Sequence, residues 1–246
     1  MHQRKSVIVA GGVSPTQSLY VRLLGVIRAP RAAFDAVVQS PRSAAVLIVT
    51  FLAAMLSTGM LLETEVGRLA LVDHWERTAT AFGLAIDDQD YAEMEDASQN
   101  GLLYAAVSAL VSGPLLTIAL AAICVVGFGG PRRTATTYRQ ALAVVAHASV
   151  ILAIRQIIAA PIAYARETLA SLVTMGSFFP MLDETSLAAR FLGLLDLFVL
   201  WWIIVLAIGA SVLYRRPVRR LALVFVGVYV SLAVILAAIM AAEGTT

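Results

Sequence analysis

Five long apolar stretches dominate the pattern of hydrophobic and polar positions along the chain. They occupy residues 44–62, 102–126, 141–160, 191–213 and 221–242. Each is about 20 residues long, which is the length a helix needs to cross the hydrocarbon of a bilayer. Backbone groups in lipid must be satisfied within their own segment, so runs of this kind form helices. The pattern predicts an all-α, polytopic membrane protein built on a five-helix transmembrane bundle.

A shorter amphipathic segment precedes the first stretch. We predict a flexible cytoplasmic tail over 1–15, an amphipathic interfacial segment over 16–43 and the membrane domain over 44–242. Pro30 divides the interfacial segment into two pieces, because proline lacks the N–H that a continuous helix uses. The apolar face predicted for the first piece comprises Leu19, Leu23, Leu24 and Ile27, with Arg22 and Arg28 off that face. Such a segment is either the lead-in to the bundle or a docking surface for a cytosolic partner.

The charges of the connecting segments alternate and predict the orientation. The segments before the first span, between the second and third spans and between the fourth and fifth spans hold 13 basic groups and one acid. The other connections and the C-terminal tail hold four basic groups and 14 acids. Short loops rich in Arg and Lys stay in the cytoplasm. The N-terminus is therefore predicted to be cytoplasmic and the C-terminus outside. We expect a cytoplasmic anchor formed by Arg215, Arg216, Arg219 and Arg220.

Composition changes this picture in two ways. With 60% apolar and 14% charged residues, the chain falls outside the range of soluble domains, which carry about 25% charged residues. Arginine outnumbers lysine seventeen to one, which suggests a GC-rich bacterial genome and hence the cell inner membrane. The single cysteine, Cys124, lies inside a span and predicts no disulfide framework.

The acidic segment 63–101 is the longest connection. Leu69, Val72 and Trp75 are expected to continue the first helix beyond the membrane. Asp87 is a predicted N-cap for a helix leading into the second span. A divalent-cation site is the alternative for the acid cluster, but the fixed Asp/Gly/Glu spacing of a calcium loop is missing. We therefore predict no metal site and no cofactor.

Three ionisable residues lie inside the spans, where they are costly and raise a functional question. Arg155 and Asp196 each lie five residues from the outer end of the predicted third and fourth spans, at equal depth. Opposite charges at equal depth on consecutive helices predict a structural ion pair, and a proton or ion pathway is the alternative. His147 is expected to be a packed, hydrogen-bonded histidine.

Other local signals are weaker. Gly113-Pro114 is expected to kink the second span, and Asp183 or Thr185 to cap the fourth. No zinc-binding HExxH, GxSxG nucleophile elbow, intramembrane aspartate pair or phosphate loop occurs in the sequence. We predict no catalytic residues and no nucleic-acid partner.

Three local motifs stand out besides the spans. They are the lead-in with Gly25, Pro30, Phe34 and Pro41, the opening of the third span at 138–146, and the Asp196, Phe198, Trp201 pattern of the fourth span. These motifs resemble the Yip family, the Ypt/Rab-GTPase-interacting membrane proteins, in its bacterial branch, and the first of them resembles the family's Pro…Phe…Pro pattern before the first span. The resemblance covers roughly residues 19–240 and includes the five-span topology.

The resemblance implies an integral membrane protein without enzymatic activity. Eukaryotic relatives act as membrane scaffolds in vesicle traffic and engage prenylated small GTPases, whereas this chain has a shorter N-terminal region. The expectation is a scaffold or adaptor with a membrane or cytosolic protein partner of unknown identity, besides the lipid bilayer. The alternative is a small transporter or channel subunit that uses a polar site around Arg155 and Asp196.

Overall fold

The predicted all-α membrane bundle is confirmed in a computed structural model of the protein. Of the residues that the structure describes, 85% are helical and none lies in a strand. Five helices have the length and apolar composition needed to cross a membrane. The described residues are 19–129, 138–169, 173–179, 181–183 and 186–243. The predicted tail at 1–15, Arg132, Arg133 and the predicted cap Thr185 lie outside these ranges.

The helices are assigned in chain order. They are α1 (Leu19–Arg28), α2 (Pro30–Gln39), α3 (Ala44–Leu62), α4 (Glu65–Ala81), α5 (Asp88–Ser98), α6 (Gly101–Leu110), α7 (Leu116–Phe128), α8 (Tyr138–Ala148), α9 (Val150–Arg166), α10 (Leu187–Leu194), α11 (Leu197–Tyr214) and α12 (Val218–Glu243). The five spans are α3, α6 with α7, α8 with α9, α11, and α12. We call the side that carries α1, α2 and residues 215–220 the arginine-rich side, and the side that carries α4 and α5 the acidic side.

The third span forms the centre of the bundle, and the fifth lies at its periphery. In the most apolar 18-residue window of the third span, 61% is buried inside the protein, whereas in that of the fifth span only 11% is buried. The reason is side-chain size: Ala141, Ala143, Ala146 and Ala148 let neighbouring helices approach closely. Most large apolar residues of α12, such as Leu223, Val228 and Leu232, remain on the outer surface, whereas Leu221 is buried.

The interfacial segment is packed into the bundle rather than lying beside it. Pro30 occupies the first turn of α2, where its missing N–H costs nothing. Phe34 is fully buried against Gly209 of α11, and a Cβ at that glycine would lie only 3.0 Å from the Phe34 ring. The absence of a side chain at Gly209 therefore makes room for the Phe34 ring, and this contact packs α2 against the fourth span.

The predicted apolar face of α1 is confirmed only in part, because Leu23 and Leu24 are half-buried while Ile27 is exposed and Arg22, predicted off the face, is buried. Arg22 and Val26, four residues apart, form the buried face, while Tyr20 and Ile27 are exposed. The prediction sorted residues by polarity alone. The long aliphatic stem of an arginine can lie along an apolar surface, so Arg22 is compatible with a packing position.

The acidic side is built from α4 and α5, and each of these helices begins at its own N-cap. The first helix does not continue through Leu69, Val72 and Trp75 as predicted, because the chain turns at Glu63 and α4 begins anew. The Thr64 hydroxyl accepts a hydrogen bond from the Gly67 N–H at 3.0 Å and caps this new helix. Asp87 caps α5 with a reciprocal capping box that includes Asp90.

The second span accommodates Pro114 without leaving the helical path. Residues Val111–Leu115 form one π-helical turn between α6 and α7. A π turn widens the helix by one residue, which removes the clash between a proline ring and the preceding turn. Ser112 donates from its hydroxyl to the Ser108 carbonyl oxygen at 2.8 Å within the same span.

The fourth span differs most from the prediction. The apolar run at 191–213 is not one helix: α10 ends at Leu194, and α11 begins at Leu197. The predicted cap Asp183 does not start the spanning helix. Ser186 caps α10 instead, and Asp196 caps α11.

Candidate functional site at a break in the fourth span

Arg155 of the third span and Asp196 of the fourth lie in direct contact. Arg155 Nε is 2.7 Å from Asp196 Oδ2. The Asp196 side chain is only 8% exposed, whereas that of Arg155 is 27% exposed. Arg155 Nη1 also donates to the side-chain oxygen of Gln156 at 3.0 Å. The structure thus brings together the two charged residues that the sequence placed at equal depth.

The contact forms for a different reason than the predicted one, because the third and fourth spans begin and end at other residues than the sequence suggested. The third span continues past Ala160 to Arg166, so Arg155 lies 11 residues before its end. Asp196 lies at the break, as the N-cap directly before α11, rather than inside a helix. The two residues meet because α11 starts at the level of Arg155, while α9 extends well beyond that level towards the acidic side.

Asp196 has a second role, as the N-cap of α11. Its Oδ1 accepts hydrogen bonds from the Phe198 N–H at 2.8 Å and the Val199 N–H at 3.2 Å. A carboxylate at this position satisfies orphan N–H groups and complements the positive end of the helix dipole. One oxygen of Asp196 therefore binds the helix end, and the other binds the arginine.

Neighbouring segments complete the hydrogen bonds of the broken backbone. The Tyr229 hydroxyl of α12 accepts from the Asp196 N–H at 2.9 Å and donates to the Leu194 carbonyl oxygen at 2.7 Å. The Met175 N–H donates to Leu195 O at 2.8 Å, and the Leu197 N–H donates to Val173 O at 3.0 Å. Irregular backbone at membrane depth is tolerated where protein groups satisfy it, which is the case here.

Gln156 connects this cluster to the first span. Its side-chain nitrogen lies 3.5 Å from the Thr58 hydroxyl, and its backbone carbonyl oxygen accepts from the Ser57 hydroxyl at 2.9 Å. The polar cluster therefore links the first, third, fourth and fifth spans. We refer to Arg155, Gln156, Asp196 and Tyr229 as the break cluster.

A cavity of about 310 Å³ lies on the acidic side of Arg155. Its polar lining comes from Thr58, His74, Tyr104, Ser108, Arg155 and Gln156. Leu61 of α3 and apolar residues of α9 and of the connection that follows it form the rest of the wall. Arg155 lines this cavity and also a second, smaller one of about 190 Å³.

His74 of α4 forms part of the cavity wall and lies outside the spans. Burial lowers the pKa of His74 below its ordinary value of 6.5. Asp73 opposes this shift in pKa, and Arg77 adds to it. The neutral imidazole is therefore the favoured form, so the cavity adds no second positive charge beside Arg155 near neutral pH.

His147 lies nearer the arginine-rich side and is fully buried. Its Nδ1 lies 2.7 Å from the Ala143 carbonyl oxygen and donates to it. Its Nε2 has no hydrogen-bond partner among the described residues. The predicted polar packing role of His147 stays a prediction, and the structure keeps this residue apart from the break cluster.

The four arginines of the predicted anchor differ in their surroundings. Arg215 is the C-cap of α11 in a left-handed conformation, with φ 51°. The Arg216 guanidinium lies over the Phe128 ring at 5.5 Å. Arg219 and Arg220 are exposed on the first turn of α12. In the part of the chain that the structure describes, no group of three or more His, Cys, Asp or Glu residues could hold a metal ion.

Sequence reasoning missed Gln156 and Tyr229. Gln156 follows Arg155 directly, but a single amide in an apolar run carries little signal. Tyr229 lies 33 residues beyond Asp196, and no local pattern connects it to a break in another span. The break itself had a signal: an aspartate directly before an apolar helical run is a typical N-cap.

The protein is therefore a polytopic α-helical membrane protein with five spans. Its fourth helix is discontinuous, and an ion pair lies at the break. The family model of the Yip1 domain matches residues 24–240, and the chain belongs to this family. The match runs from α1 to α12 and includes the whole break cluster. No curated protein and no solved structure matches the chain.

Proposed function

We propose that the protein is a non-catalytic membrane scaffold or adaptor of the Yip type, in the cell inner membrane. The N-terminus is cytoplasmic in this proposal, the C-terminus lies outside, and the partner is a membrane or cytosolic protein. The supporting observation is the rigid mounting of α1 and α2 on the bundle. Phe34 fixes α2 to Gly209, while Tyr20 on α1 is 70% exposed. An exposed helix held in a fixed position is suited to presenting a surface to a partner.

The break cluster acts as a structural element in this proposal. The charge of Asp196 is shared between Arg155 and the N-terminus of α11, and Tyr229 closes the backbone. These contacts support a role in holding the fourth span together. Arg155 and Asp196 then form a structural ion pair with no part in chemistry.

Site-specific photocrosslinking in native membranes tests the adaptor proposal. A photoreactive residue at Tyr20 is expected to crosslink one defined protein partner. The matched control is a photoreactive residue at Leu223 of α12, which is 65% exposed and faces lipid, and it is expected to crosslink lipid alone. If both positions give the same products, the exposed face of α1 has no specific partner.

The orientation is tested by cysteine labelling. A cysteine replacing Asp88 and one replacing Arg219 are expected to react with an impermeant thiol reagent from opposite sides of the membrane. The native Cys124 is buried and serves as an internal background. Labelling of both positions from one side would contradict the five-span orientation.

A small transporter or channel subunit is the second candidate, and the cavity beside Arg155 favours it. The cavity has a volume of about 310 Å³, and Thr58, Arg155 and Gln156 supply polar groups to a wall that is otherwise mostly apolar. Flux of small ions and solutes into liposomes containing the purified protein tests this alternative. Transport that disappears in Arg155→Gln but persists in Arg219→Gln would favour it over the scaffold.

A further inference from the structure

A second recess lies on the arginine-rich side, far from the break cluster. It has a volume of about 510 Å³ and lies between α2 and the turn that joins the fourth and fifth spans. Its wall includes Arg31, Asp35, Arg215 and Arg216 together with the apolar residues Val212 and Val218. Three guanidinium groups from two separate elements therefore converge on one space, opposed by one carboxylate.

The fold fixes the backbone positions from which these arginines project. Arg31 projects from α2, which Phe34 locks against Gly209 of α11. Arg215 lies at the left-handed end of α11, and Arg216 is oriented by the Phe128 ring and by the Phe128 carbonyl oxygen at 3.5 Å. The recess is consequently preorganised, and binding pays little conformational entropy for the backbone.

Two of the three guanidinium groups are uncommitted. Among the described residues, neither Arg31 nor Arg215 makes an ion pair or a side-chain hydrogen bond. Arg31 and Asp35 are four residues apart on one helix face, yet no ion pair within 4.0 Å joins them. Positive charge that the protein does not neutralise attracts an anion, and guanidinium groups match phosphate oxygens in pairs.

The apolar part of the wall indicates where the anion comes from. Val212 belongs to the last turn of α11, and Val218 is the first residue of α12. Both lie where two spans leave the hydrocarbon, which is the level of the lipid headgroups. Basic pockets at this level between spanning helices are known to hold anionic lipid headgroups.

We propose that this recess is a binding site for a phosphate-bearing headgroup of an anionic phospholipid. The phosphate lies between Arg31, Arg215 and Arg216, and the glycerol end of the lipid contacts Val212 and Val218. Bound lipid then joins α2 to the turn between the fourth and fifth spans. This site is independent of the scaffold proposal, since it would exist in a transporter as well.

Binding of short-chain lipid to the full-length protein in detergent tests the site. The probes are dioctanoyl phosphatidylglycerol, dioctanoyl phosphatidylcholine and glycerol phosphate. The protein variants are Arg31→Gln/Arg215→Gln and the matched control Arg219→Gln/Arg220→Gln, which loses the same charge outside the recess. All replaced side chains are exposed, so both variants are expected to fold.

We expect phosphatidylglycerol to bind the wild type and phosphatidylcholine to bind at least tenfold more weakly. The recess variant should lose about tenfold or more in affinity for phosphatidylglycerol, and the control less than about threefold. Asp35→Asn should tighten binding, because it removes the negative charge beside the phosphate.

Three outcomes would overturn the proposal. Equal losses in the recess variant and the control would indicate diffuse surface attraction without a site. Glycerol phosphate binding as tightly as phosphatidylglycerol would identify a soluble phosphate as the ligand. No measurable binding of phosphatidylglycerol to the wild type would exclude the site itself.

Discussion

The regular α-helix is interrupted in both the second and the fourth spans, but the backbone at the interruption is arranged differently in the two. At Pro114 the backbone stays helical through one π turn, whose residues are all at least partly exposed. At Asp196 the backbone leaves the helix, and the open groups are bonded by Tyr229, by residues 173 and 175 and by the Asp196 side chain. A helix that is only widened can remain on the lipid-facing surface. A helix that is truly broken requires partners from other spans, and this requirement fixes the bundle around it.

The largest expected effect concerns the ion pair at the broken span. Asp196→Asn keeps a side chain that can cap α11 but leaves Arg155 without its counter-charge. We expect a loss of about 3 kcal/mol in the free energy of unfolding, as for other partly buried pairs that lose one partner. Arg155→Gln should be similarly harmful, and the double variant milder than either single one. The measurement is unfolding in mixed detergent micelles for the three variants.

The double variant decides what the pair does. A milder double variant means that most of the loss comes from an unpaired charge. Strictly additive losses would mean that Arg155 and Asp196 stabilise the bundle through different partners. The contact between Arg155 and Asp196 would then not be what fixes the fourth span in the bundle.

The next effect is the loss of the hydroxyl that closes the break. Tyr229→Phe removes the acceptor for the Asp196 N–H and the donor to Leu194 O, and we expect a loss of about 1–3 kcal/mol. Tyr138→Phe is the control, since its exposed hydroxyl donates to Ile118 O at 3.1 Å in an intact helix. The same unfolding assay applies, and equal losses for the two variants would remove the distinction between a broken and an intact span.

A smaller effect is expected at the π turn. Pro114→Ala restores the missing N–H and should change the free energy of unfolding by less than about 1 kcal/mol, because the turn already satisfies its own backbone. Gly113→Ala is the companion variant, since a Cβ there meets nothing within 4 Å. A loss above about 2 kcal/mol for Pro114→Ala would show that the second span also depends on its interruption.

The smallest effect is a pH dependence from His74. Burial lowers its pKa below 6.5, so the folded protein binds this proton less readily than the unfolded chain. Its contribution to stability is complete above about pH 6.5 and falls as the pH drops towards the pKa in the folded protein. His74→Gln should flatten the fall in stability between about pH 7 and 5. An unchanged pH profile would show that His74 does not report on the cavity beside Arg155.

The sequence predicts the five spans well because hydropathy over 20 residues reflects the bilayer directly. The division at Pro30 and the cap at Asp87 are also readable, since each depends on one residue and its immediate neighbours. The family resemblance is confirmed by the match over 24–240. The spans, the division at Pro30 and the cap at Asp87 are all determined by residues that are close together in the sequence.

The remaining features depend on contacts between distant residues. The break at Leu195 is hidden inside a continuous apolar run, and it is stabilised by hydrogen bonds to distant residues such as Tyr229 and Val173. The burial of Arg22 depends on where α1 packs, which polarity does not reveal. The cavity beside Arg155 depends on how α4 lies across the spans, and the separate start of α4 at Thr64 was not predicted.

The packing of Phe34 against Gly209 has a consequence for the biosynthesis of the protein. The two residues are 175 positions apart, and ribosomes add about 5–20 residues per second. The aromatic ring is therefore synthesised roughly 10–35 seconds before the glycine that receives it. During that interval the α2 segment has no partner in the fourth span. The contact between α2 and α11 therefore forms only after the fourth span has been synthesised.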